Sequence, residues 1–109
     1  MTSYVFIESR DPFESRDTQF VADTASALKQ RGHEVTVFLV QNGVLAARER
    51  ARNSPLPQLV TAGVTLLADD FSLRERGISA AELSSGIKES SIDALLEAIV
   101  QENTKVMWH

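Results

Sequence analysis

The sequence predicts an α/β fold: a three-layer α/β/α sandwich around a mainly parallel sheet of four or five strands, flavodoxin-like in appearance. Three observations predict it. Short apolar runs rich in β-branched and aromatic residues alternate with segments of helical periodicity. The second run, Val35 to Val40, is almost continuously apolar, as a strand covered on both faces must be. The connections between runs are long enough to hold crossover helices.

The first run, Tyr4 to Ile7, reads as a strand. Asp17 then stands where a helix cap is wanted, Val21, Ala25 and Leu28 share one helical face, and Gly32 supplies a left-handed exit. After the Val35–Val40 strand, Val44 to Ala51 reads as a helix with Arg48, Glu49 and Arg50 on its outer face. Ser54-Pro55-Leu56-Pro57 breaks the chain, predicting a mobile connection before a short helical turn ending at Gly63. Val64 to Ala68 is a third strand. Ser72 to Arg76 makes a short helix stopped by Gly77, Ser79 and Glu82 form a capping box, and a short strand is expected around Ile87. Ser90 and Asp93 resemble another capping pair ahead of Ile92, Leu95, Leu96, Ile99 and Val100, the stripe of a packed helix. Lys105 to Trp108 closes the chain as a strand.

Composition narrows the function. With 109 residues, 43% hydrophobic and 24% charged, residues 1–109 have the make-up of a single α/β domain that needs neither disulfides nor a structural metal to fold. There is no cysteine, so there is no thiol chemistry and no zinc–thiolate site. A net charge of -4 argues against a nucleic-acid or anionic-membrane binder, which needs a basic face. No apolar run approaches the ~20 residues that span a bilayer, and no basic-then-apolar leader opens the chain, so a cytoplasmic protein is expected.

In an open parallel sheet, ligands bind beyond the carboxyl ends of the strands, and the segments there form the candidate site edge: Glu8, Arg10, Arg16, Asn42, Gly43, Asp69, Asp70 and Ser72. After the first strand, Arg10, Arg16 and helix amides offer an anion site, offset by Glu8, Asp11, Glu14 and Asp17, with no glycine to admit a phosphate. Asn42-Gly43 favours a positive-φ turn whose first duty is redirecting the chain. Asp69-Asp70 invites a cation site or a general base, with Glu8 the obvious third carboxylate. The plainer reading has Asp70 or Ser72 capping the short helix and Asp69 solvated or paired with an arginine. A phosphoreceiver would also use acids such as Glu8 and Asp69, but its lysine belongs at the end of the last strand, whereas Lys105 begins it. His33 and His109 lack metal-ligand spacing, and no serine sits in a nucleophile elbow. No catalytic residue, metal or cofactor is expected.

The order of these features resembles the DsrE/DsrF/DsrH-like family, which includes the Tus sulfur-relay proteins. An apolar strand ends in Gln41-Asn42-Gly43-Val44, similar to the family's (D/E)-G-V. A later helix closes in Leu73-Arg74-Glu75-Arg76-Gly77-Ile78, similar to R-G-(I/L/V), and the chain finishes on Val106-Met107-Trp108. Gln41 to Ala47 and the late tryptophan lean toward the DsrH/TusB-like branch, the long first helix and capped last helix toward DsrE. The resemblance implies persulfide transfer on a cysteine eight residues before the R-G-(I/L/V) glycine. Counting back from Gly77 lands on Asp69, and a carboxylate forms no persulfide, so this chain carries no sulfur covalently. What the resemblance still implies is a layered fold and a homo- or hetero-oligomer with DsrE-family subunits.

These observations predict a non-catalytic structural or interaction subunit associated with sulfur relay or sulfur metabolism. The apolar residues of Val44 to Ala51, with Phe71, are the expected subunit contact. The competing reading is an enzyme or sensor that binds a small anion or a metal through Glu8, Arg10, Arg16, Asp69 and Asp70.

Overall fold

The computed structural model describes residues 2–52 and 54–109. Five strands, β1 (Ser3–Glu8), β2 (Glu34–Leu39), β3 (Thr65–Asp69), β4 (Ile87–Ser90) and β5 (Thr104–Trp108), form one sheet in the order β4-β3-β2-β1-β5. Every pairing is parallel. The helices are α1 (Asp17–Gln30), α2 (Leu56–Ala62), α3 (Asp70–Glu75) and α4 (Ile92–Ile99), with 3-10 turns at Gln41–Ala47 and Ala80–Glu82. This is the layered α/β sandwich that the alternation of runs predicts.

The handedness of crossover connections explains how the layers are filled. From β1 to β4 the chain steps across the sheet in one direction, and right-handed connections place α1, α2 and α3 on one face. There Ala22, Ala25, Leu56, Leu59 and Leu73 pack on Phe6, Val35, Val37, Leu39 and Leu66. From β4 the chain returns past three strands to β5, on the far side of β1. That reversed step sends α4 alone to the other face, where Leu95 meets Val5, Ile7, Phe38 and Val40. Strand β2 therefore contributes alternately to both cores, which is why it reads as a continuous apolar run. The receiver reading fails here, since a flavodoxin-type order sets β1 between β2 and β3.

Several local expectations are corrected. Asp17 is the first residue of α1, not its cap; no side chain caps this helix, and the Ser15 hydroxyl accepts from the Asp17 amide. Val44 to Ala51 is not a regular helix. A 3-10 turn ends at Ala47, and Arg48 pairs in an antiparallel bridge with Leu83. Val44, Ala46 and Ala47 are buried in the main core, so they are unable to supply a subunit contact, whereas Phe71 stays exposed. At the proline break, Ser54 Oγ donates to the Ala46 carbonyl and accepts from the Leu56 amide, so the expected mobile connection is tethered. The last helix is capped by position at Ser91, without a side-chain bond, while Ser90 ends β4. The Ser79–Glu82 capping box forms, on a 3-10 turn.

Gly43 has a different reason than the one its neighbour suggested. The positive φ falls on Gln41 (φ 50), whereas Gly43 packs directly against the backbone carbonyl of Glu8. A Cβ at residue 43 would run into that oxygen. Gly43→Ala is expected to destabilise the protein by about 1–3 kcal/mol in urea unfolding, the usual cost of overpacking; a neutral result would contradict the close approach.

Candidate functional site

All five parallel strands deliver their carboxyl ends to one edge, and the strand order reverses between β1 and β5. Such a switch point is where open α/β sheets place their ligand crevice, because connections leave in opposite directions there. Glu8 ends β1 at this point, and His109 follows β5 beside it. The imidazole Nδ1 lies 2.9 and 2.7 Å from the two Glu8 carboxylate oxygens, and His109 Nε2 is 4.0 Å from Asp17 Oδ2. The backbone completes the junction. The His109 amide donates to the Ile7 carbonyl at 2.9 Å, and the Ser9 amide and hydroxyl donate to the His109 carbonyl at 3.0 and 2.8 Å.

Glu8 is only 6% exposed. Burial pushes its carboxyl above the ordinary value, against the opposing pull of the His109 hydrogen bond and charge and of the Ser9 and Arg10 amides. A buried carboxylate with a raised pKa costs stability once it ionises, and in a crevice at a strand edge it marks a candidate site. A lone histidine following a strand carries no spacing motif. Only the parallel β1–β5 pairing, which brings positions 8 and 109 together across the whole chain, reveals it.

The other candidate residues fall into separate groups. Asp69, 7% exposed, caps α3: its Oδ2 accepts from the Ser72 amide at 3.0 Å and the Ser72 hydroxyl at 2.7 Å. Ser72 Oγ in turn accepts from the Gln41 amide at 2.9 Å, tying the tips of β2 and β3. The reading of Asp69 as solvated, with Asp70 or Ser72 as cap, is thus corrected, because a strand-end carboxylate is ideally placed for the free amides of the next helix. Asp70 instead pairs with Arg74 at 3.8 Å on the surface. Arg76, absent from the sequence-derived set, donates from Nε and Nη2 to Asn42 Oδ1 at 3.2 and 3.0 Å and from Nη1 to the Ser72 carbonyl at 3.2 Å. Gly43 lies against Glu8, while Arg16 stands exposed at the start of α1.

A cavity of about 20 Å³, room for one water molecule, opens between Glu8, Arg10, Thr18, Gly43 and Leu56. Its walls are almost wholly apolar. Among the described residues no three His, Asp or Glu side chains gather as a metal cage, and Glu8, Asp69 and Asp70 each have a different protein partner. The edge thus offers one carboxylate–imidazole pair, Glu8 with His109, and one helix cap, rather than a preformed anion or cation pocket.

The profile of the DsrE/DsrF-like family matches residues 2–108. The chain belongs to that family. Its α/β architecture is that of several solved relatives. The crystal structure of the ychN protein from E. coli superposes with a TM-score of 0.89 at 19% identity, covering 100% of both chains. MTH1491 from Methanobacterium thermoautotrophicum, a protein of unknown function, gives 0.82 at 18% identity, again over 100% of each. BT1422 from Bacteroides thetaiotaomicron, a conserved protein of unknown function, gives 0.78 at 19% identity over 98% of this chain and 94% of its own. No curated protein matches. This DsrE/DsrF-like chain is a member without cysteine, and no helix among its described residues is long and apolar enough to cross a membrane.

Substitutions at two positions test the geometry. Asp69→Ala removes the α3 cap and should cost about 0.5–2 kcal/mol, while Asp69→Asn, an equally good cap, should stay within about 0.5 kcal/mol; denaturant midpoints decide. For Glu8 the raised folded-state pKa means that the native state holds its proton more tightly than the unfolded chain does. Its contribution to stability is then full below the ordinary carboxylate range and is lost as pH rises through the raised value. Glu8→Gln, which still accepts the Nδ1–H bond, should flatten that decline; an undiminished decline in thermal midpoints would count against the assignment.

Proposed function

We propose that this DsrE/DsrF-like chain is a non-catalytic structural or interaction subunit, assembling with copies of itself or with other DsrE-family subunits, in the cytoplasm and in the setting of sulfur relay or sulfur metabolism. The observation that carries the reading is the state of Asp69. Counted back from Gly77, it takes the place where the family resemblance puts the sulfur-carrying cysteine. A persulfide carrier needs a reactive thiolate open to its partner. Asp69 has neither property: it is a buried carboxylate whose Oδ2 holds the first turn of α3 and, through Ser72, the Gln41 amide. At this position an internal structural bond stands in place of transferable sulfur.

The face left short of cover supports the interaction half of the proposal. Leu96 (51% exposed) and Ile92 on α4, and Val100 just after it, lie uncovered. Val106 (44%) and Trp108 (67%) on β5 pair with Val5 and Ile7 and so share the α4 side of the sheet. Strand β5 is also an edge, with backbone groups free for pairing. Apolar side chains grouped on one face and one edge are what a subunit contact requires.

Sedimentation velocity of the purified chain across micromolar concentrations tests this. Self-association is expected, and Leu96→Lys should weaken it by about tenfold or more, ~1.4 kcal/mol, without lowering the melting temperature. A strictly monomeric profile, with no cysteine-bearing family member co-purifying from the native host, would overturn the reading.

A further inference from the structure

We propose that strand β5 is where two copies of this chain join: their β5 strands pair antiparallel about a two-fold axis at Val106, so that two five-stranded sheets become one. The inference rests on the interaction-subunit reading and names its partner, a second copy, and the backbone contact that selects it. Along a strand, successive residues point their N–H and C=O groups to alternate sides. The Ser3 amide donates to the Asn103 carbonyl, the His109 amide to the Ile7 carbonyl, and the Ser9 amide to the His109 carbonyl. The odd-numbered residues from 103 to 109 therefore face β1. Thr104, Val106 and Trp108 turn their amides and carbonyls outward, where no strand among the described residues pairs with them.

The sequence of β5 suits a copy of itself. Centred on Val106, an antiparallel pair sets Val106 against the second copy's Val106 and Trp108 against the second copy's Thr104, so every outward backbone group is met. Lys105, the one charged residue of the strand, falls opposite the second copy's Met107. A shift that centred the pair on Lys105 would set two ammonium groups directly opposite one another and leave Trp108 outside the pairing, which selects the Val106 register. The other edge of the sheet has no such match. On β4, a pair centred on Lys88 or on Glu89 opposes two like charges. A two-fold axis normal to the sheet also keeps both α4 helices on the same side of it. Leu96, Val106 and Trp108 of the two copies, all exposed in the single chain, then lie on one side of the joined sheet. Backbone bonds fix the register, and these apolar side chains add buried area around it.

Amide hydrogen exchange of the wild-type chain, read residue by residue by NMR below and above the concentration at which it associates, tests the joint. Alternation is the signature. On association the amides of Thr104, Val106 and Trp108 should slow about tenfold or more, and those of Lys105 and Met107, which face β1 at every concentration, by much less. Val106→Pro removes an outward N–H, keeps an apolar side chain on the α4 side and spares the bonds to β1. It should retain the wild-type circular dichroism and weaken association at least about tenfold; should it fail to fold, the wild-type exchange pattern decides alone. Association with the outward amides still exchanging fast, or with all β5 amides slowing equally, overturns the pairing and leaves the interaction-subunit reading in place. So does wild-type association of a folded Val106→Pro. A chain that stays monomeric throughout overturns the pairing, and the broader reading falls with it only if no cysteine-bearing family member co-purifies.

Discussion

The structure depends on one constraint: parallel strands joined by right-handed connections have their helices placed by the direction in which the chain crosses the sheet. Three steps one way put α1, α2 and α3 on a single face; one long step back puts α4 on the other. An eight-residue helix covers only part of a five-stranded sheet. The second core is accordingly small, built on Val5, Ile7, Phe38, Val40 and Leu95, and the apolar side chains around it remain open. The same reversal sets β1 beside β5 and so joins two residues separated by nearly the whole chain. Surface and junction therefore have one cause.

The strand tips show how neighbouring parts of the edge can take opposite chemical characters. At β3, Asp69 meets the free amides of a following helix and becomes a satisfied cap, joined through Ser72 to the start of the 3-10 turn. Arg76 braces the same turn through Asn42. At β1 there is no equivalent helix amide. Glu8 is packed under Gly43 and answered by an imidazole from the far end of the chain. One carboxylate stabilises the edge; the other is held there at a cost, as the direction of its titration indicates.

Much of this fold was legible in the sequence because periodicity and composition act locally. The apolar runs locate the strands within a residue or two, Gly32 and Gly63 end helices with φ of 90°, and the family resemblance rested on features spread along the chain. What failed were inferences needing more than local information. Asp17 looks like a cap, but Ser15 accepts the amide instead. Val44 to Ala51 reads as a helix, yet the chain there is a 3-10 turn ending at Ala47, with Val44, Ala46 and Ala47 buried and Gly43 against the Glu8 carbonyl. Among the site residues, Glu8, Gly43, Asp69 and Ser72 could be placed at a strand edge from sequence, but their partners could not. His109 was passed over because a lone imidazole after a strand has no local signature; strand order alone gives it a role.

The central claim is that the reversed crossover leaves the α4–β5 face uncovered and that this face meets another subunit. Hydroxyl-radical footprinting of the wild-type chain over rising concentration reads that face residue by residue. The account predicts that Leu96, Val106 and Trp108 become protected together, while Phe20, exposed on α1 across the sheet, keeps its reactivity. Unchanged labelling of all four from the most dilute to the most concentrated sample would contradict it.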